Sequence, residues 1–99
     1  MKKQDFYRNA RTDISGPLAG VRVIEATTTW AGPMCAAVLA DFGADVIKVE
    51  IPSGDVSRAA QPNLPGTDVS FMHATVNRNK RALSLDVRTE QGRDIFLKL

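Results

Sequence analysis

Apolar residues gather at Val21, Val23, Ile24 and Ala26 and again at Val46, Ile47 and Val49, two runs of strand length separated by about twenty residues. Between them Met34, Ala37, Val38 and Phe42 recur at helical spacing, with Asp41 at the edge of the stripe, so a helix is expected to lay that stripe over the sheet. Thr29 is placed to cap this helix, Pro33 fits its first turn, and Gly43 supplies the left-handed residue that closes it. The pattern predicts a βαβ unit with parallel strands and a right-handed crossover.

Beyond Glu50 the period is lost: residues 51–66 carry Pro52, Pro62, Pro65, Gly54 and Gly66 and read as a long irregular loop. Thr67 or Asp68 is then expected to cap a short helix through Val69, Phe71, Met72 and Val76, and residues 77–81 form a polar, basic turn. Ala82, Leu83 and Leu85 predict a third strand. Thr89, followed by Glu90, opens another amphipathic stripe at Ile95, Phe96 and Leu99. The fold class is therefore α/β, a Rossmann-like parallel sheet that is incomplete. Residues 1–16 read as a flexible leader, and 17–99 as the N-terminal part of a larger domain, because the last stripe carries no closing Gly, Asn or Pro.

Composition narrows the function classes. With 43% hydrophobic and 24% charged residues the chain is built to fold, and no apolar run reaches the ~20 residues that cross a bilayer. The single cysteine, Cys35, excludes an internal disulfide and fits a reducing cytoplasm; as a free thiol it is expected to be buried. One Cys and one His, His73, make no metal-ligand spacing. A net charge of +2 gives no general case for nucleic acid.

Candidate chemistry concentrates at the turn 27–33, where three threonines, Trp30 and Gly32 lie between a strand's carboxyl end and a helix's amino end, a place that favours anions. Neither dinucleotide nor P-loop glycine spacing is present. Glu50 stands where such folds keep an acid for ribose hydroxyls, or else pairs with Lys48 or Lys80. Gly54, Asp55 and Arg58 are read as ordering the long loop. Arg78, Lys80, Arg81 and Arg88 are expected to gather at one sheet end or its flank, where a polyphosphate would suit them.

From Pro17 onward the chain resembles the N-terminus of the family III CoA-transferases, the group of formyl-CoA and carnitine CoA-transferases and 2-methylacyl-CoA racemases. The resemblance rests on PLAGVRVIE, WAGP, LADFGADVIKVE, the P-S-G-D segment with Arg58, and NRNKRALSLDVRTEQGR. It implies a Rossmann-like large domain and an interlocked homodimer. It also implies coenzyme contacts at Trp30, Ala31, Leu85, Asp86, Val87 and Arg88, with acyl-CoA and a carboxylic acid as substrates and no tightly bound cofactor; no metal, nucleic-acid or membrane partner is expected from the composition. Formyl-CoA transferases have an arginine where this chain has Ile51. The family's nucleophilic aspartate is expected beyond residue 99, so no catalytic residue is assigned. An acyl-CoA racemase on the same scaffold and a small nucleotide-binding module stand as the rival readings.

Overall fold

The computed structural model describes residues 15–99; of the leader expected over 1–16, residues 1–14 lie outside the described residues. The elements are β1 (Arg22–Glu25), α1 (Ala31–Asp41), β2 (Asp45–Glu50), a 3-10 turn (Val56–Ala59), α2 (Phe71–Val76), β3 (Arg81–Ser84) and α3 (Glu90–Phe96). The strands form one parallel sheet in the order β1-β2-β3, with Ile24 beside Ile47 and Val49 beside Leu83.

Helix α1 packs on β1 and β2; of the predicted stripe Ala37 is fully buried and Met34 partly, but the other two positions face outward. Ala36 and Ala40 join Ala44 and Val46 in the buried cluster, while Val38 and Phe42 are 41% and 51% exposed. Small side chains let the helix axis approach the strands, and a helical period alone does not say which stripe faces inward. Cys35 is exposed rather than buried, since it shares the outward side with Val38 and Phe42.

Gly43 has φ +99 and closes α1 as anticipated. The start differs. Thr29 is not the cap: it adopts φ +71, Trp30 takes the cap position, and no side chain caps the helix. In α2 the cap is Ser70, whose hydroxyl accepts from His73 N–H, and neither Thr67 nor Asp68 serves. In α3 Thr89 caps as predicted, accepting from Gly92 N–H. The chain then returns along the sheet until the Leu99 carbonyl lies 3.5 Å from the Arg22 guanidinium, at the amino end of β1. Among the described residues no helix is long and apolar enough to cross a membrane.

Candidate functional site

Strands that run parallel bring all their carboxyl ends to one edge. Here the segments leaving β1, β2 and β3 enclose a cleft of about 170 Å³ lined by Ala26, Thr27, Thr28, Val49, Glu50, Ile51, Asp55 and the run Leu85, Asp86, Val87 and Arg88. Four of the six residues expected to meet a ligand are thus together. Trp30 and Ala31 are not in the lining; they open α1 just beyond it, with Trp30 47% exposed. Gly32 sits against the Thr27 side chain with no room for a Cβ, so glycine there lets the helix start close onto the turn.

Beneath the cleft lies a cluster of buried charges that sequence reasoning did not assemble. Lys48 Nζ donates to Glu25 Oε1 at 3.0 Å and to the Thr27 carbonyl at 3.0 Å, and stands 3.1 Å from Asp55 Oδ2. Lys80 Nζ reaches Glu25 Oε2 at 2.6 Å and the Pro33 carbonyl at 2.8 Å. The side chains of Glu25, Lys48, Asp55 and Lys80 are all almost fully buried. Charges taken so far from water need partners of opposite sign, and the two carboxylates and two ammoniums balance. The signal was available: a lysine at the centre of a strand buried on both faces demands a buried partner.

Burial pushes the Glu25 carboxyl up, but hydrogen bonds from Lys80, Lys48 and Thr27 outweigh it and leave its pKa below the ordinary value. Burial also works against the Asp55 carboxylate, yet backbone N–H bonds from Ser57 and Thr29, with Lys48, bring it down to about 2. For Lys80 burial dominates and lowers the ammonium pKa, with Glu25 opposing.

Glu50 pairs with neither Lys48 nor Lys80; it borders the cleft with both carboxylate oxygens engaged by its own loop. It accepts from Arg58 Nη2 at 2.9 Å and from Asp55 N–H at 2.8 Å, and the Arg58 hydrogen bonds foremost hold its carboxyl at about 2. The loop is therefore ordered by its own residues folding back onto the strand end. His73 Nδ1 lies 2.8 Å from the buried Ser57 Oγ; burial, and then Arg58, lower its pKa.

The four cations do not assemble. Arg78 binds Asp41 at 2.6 Å, Lys80 is buried on Glu25, and Arg81 binds Asp45 at 2.7 Å at the opposite, amino end of the sheet. Only Arg88 borders the cleft, and it is engaged with Asp86 through Nε at 2.8 Å and Nη2 at 2.9 Å. The adjacent arginine foremost draws the half-buried Asp86 carboxyl to about 2. Among the described residues no group of His, Cys, Asp and Glu is placed to hold a metal.

Comparison with known proteins gives this arrangement a context. The profile of CoA-transferase family III matches residues 18–99. A formyl-CoA:oxalate CoA-transferase of Escherichia coli is 41% identical over 87 residues, covering 87% of this chain and 21% of that protein. A succinyl-CoA:mesaconate CoA-transferase of Haloarcula hispanica is 44% identical over 87 residues, covering 85% and 22%. The chain thus spans 21–22% of the length of these curated relatives. In three dimensions it is similar to a CAIB/BAIF family protein from Brucella suis, with TM-score 0.75 and 40% identity over 84% of this chain and 23% of that one. Rv3272 from M. tuberculosis gives TM-score 0.77 and 39% identity, covering 85% and 24%.

Proposed function

The chain belongs to CoA-transferase family III, and on that footing we propose that its cleft takes coenzyme A, as part of a protein that moves CoA between an acyl thioester and a carboxylic acid. The observation that carries the reading is the convergence of residues 85–88 with Thr27 and Thr28 around one cleft at the carboxyl edge of the sheet. Arg88 and Asp86 lie at the polar, phosphate-bearing end of the ligand, with Leu85 and Val87 against its apolar parts. Trp30 and Ala31, at the start of α1, follow the path of the pantetheine arm outward from the cleft.

The reaction we assign runs through an aspartate carboxylate supplied by sequence after Leu99. It attacks the thioester carbonyl and expels CoA thiolate, giving a mixed anhydride; the thiolate then attacks the aspartyl carbonyl and releases the donor acid, leaving an aspartyl-CoA thioester. The acceptor carboxylate reverses both steps. Four of the six aspartates in the described segment fit other duties, since Asp41, Asp45 and Asp86 each hold an arginine and Asp55 is buried on Lys48, while Asp68 and Asp94 are exposed and outside the cleft lining. The segment alone is proposed to be inactive. Both named relatives being CoA-transferases favours transfer over racemisation. The paired arginines argue against a nucleic-acid surface, and the single cysteine fits a cytoplasmic protein. An interlocked homodimer completes the proposal for the longer protein.

The test is CoA exchange by the full-length natural protein, with formyl-CoA or succinyl-CoA as donor and a panel of carboxylic acids, followed by mass spectrometry. Isotope from an 18O-labelled acceptor should appear in an aspartate during turnover. Failure to exchange with every pair, while the protein binds no CoA, would overturn the reading.

A further inference from the structure

We propose that Asp55 is a positioning residue for the coenzyme, holding the turn 27–30 in the shape that borders the cleft; this rests on the reading of that cleft as a coenzyme A site. The turn does not hold itself. Thr29 stands at φ +71, a region that β-branched residues avoid because Cβ crowds the backbone, and its side chain caps nothing. What holds it comes from 26 residues away: Thr29 N–H donates to Asp55 Oδ1 at 3.1 Å.

Lys48 anchors the other side of the turn. Its Nζ donates to the Thr27 carbonyl at 3.0 Å and stands 3.1 Å from Asp55 Oδ2, an oxygen that makes no hydrogen bond among the described residues. Thr28, which lines the cleft, is therefore fixed between two anchored neighbours. Asp55 is itself immobile. It is 4% exposed, its own N–H donates to Glu50 Oε1 at 2.8 Å, and its Oδ1 also accepts from Ser57 N–H at 2.9 Å. The loop after β2 thus acts as a template for the loop after β1. A strained residue overdetermined by its surroundings at the rim of a cleft is where structure is spent on function.

The alternative is that Asp55 serves only as a buried counter-charge for Lys48, and two substitutions separate the roles. Asp55→Asn keeps an oxygen at the place of Oδ1 and loses the charge; Asp55→Glu keeps the charge and displaces the oxygens by a methylene. In the full-length natural protein, compared at a temperature where near-ultraviolet circular dichroism shows each folded, Asp55→Asn should bind CoA within about threefold of wild type. Asp55→Glu should bind at least about tenfold more weakly and raise KM for acyl-CoA by the same factor, with kcat changed less than about threefold. Should Asp55→Glu not fold, Asp55→Ala carries the same expectation. The reverse order, Asn weak and Glu near wild type, or equal loss in both, overturns the proposal. Wild type without CoA affinity would sink the site reading instead. Even then hydrogen exchange decides the clamp: without ligand the Thr29 amide, bonded to Asp55, should exchange at least about a hundredfold slower than in the unfolded chain, and an unprotected amide refutes it.

Discussion

Lys80 Nζ meets Glu25 Oε2 at 2.6 Å with both side chains 2% exposed, joining the end of β1 to the turn before β3 across 55 residues of sequence. Glu25 serves both buried ammoniums, whereas Lys48 also has Asp55. Glu25→Gln should therefore cost more than Lys80→Met, on the order of 3–5 kcal/mol against roughly 2–3, because the first strands Lys80 among neutral acceptors. Urea unfolding midpoints at constant m-value would show the order, and a costlier Lys80→Met would refute it.

Acid should unfold the protein through the loop after β2. Glu50 and Asp55 titrate near 2 when folded, well below ordinary carboxyl values, so each contributes stability that is complete above about pH 5 and is lost as pH falls toward 2. Glu50 contributes on the order of 2 kcal/mol once the half-exposed Arg58 is discounted for solvent screening. Glu50→Gln should lower the melting temperature at pH 7 and flatten its decline between pH 5 and 3. A mutant whose curve runs parallel to wild type over that interval would contradict the assignment.

Those buried charges also mark how far sequence reasoning reaches. Both strands of the βαβ unit, the third strand, Gly43 and the Thr89 cap were legible because each is written in residues a few positions apart, as period or as cap chemistry. The cluster under the cleft joins positions 23 to 55 residues apart, and no local pattern encodes it. Arg58 was visible as an ordering residue, but its partner Glu50 was read as facing a ribose or pairing with Lys48 or Lys80, because a strand-end acid has the same sequence whether it turns to a ligand or to its own loop. The packing stripe of α1 was misread in part because Ala36 and Ala40 carry little hydrophobic signal, while Val38 and Phe42 carry much and face outward. Of residues 85–88, which lie in the cleft, Arg88 was also expected at a sheet end from its position beyond the third strand, whereas Leu85, Asp86 and Val87 were placed there by family resemblance alone.

The left-handed Thr29 makes a prediction of opposite sign to most substitutions. Glycine adopts φ +71 without the Cβ penalty, and among the described residues the exposed Thr29 side chain has no hydrogen bond to lose. Thr29→Gly should raise stability by about 0.5–1 kcal/mol, even though glycine adds freedom to the unfolded chain, and Thr29→Val should not raise it. Thermal melts of the two variants decide this: a lower melting temperature for Thr29→Gly would mean that the turn is not strained.

Arg88 and Trp30 should separate binding from placement. Arg88 already spends two donors on Asp86, so a CoA phosphate must share or displace that carboxylate, and the net contact is weaker than a free arginine would make. Arg88→Ala should raise KM for acyl-CoA about three- to tenfold with kcat unchanged. Asp86→Asn should act the other way. With the competing charge removed, Arg88 turns to the ligand and CoA binds a few-fold more tightly, at any pH where Asp86, titrating near 2, is ionised in the wild type. Trp30 is 47% exposed, so Trp30→Ala should cost about 1 kcal/mol of stability or less, well short of the 3–5 typical of a buried tryptophan. If it borders the pantetheine arm, its loss misplaces the thioester and lowers kcat as well as affinity. Kinetics of the three variants in the full-length natural protein test the geometry together: an Asp86→Asn enzyme with weakened CoA binding would remove Arg88 from the phosphate end, and a Trp30→Ala enzyme with wild-type kcat would remove Trp30 from the arm.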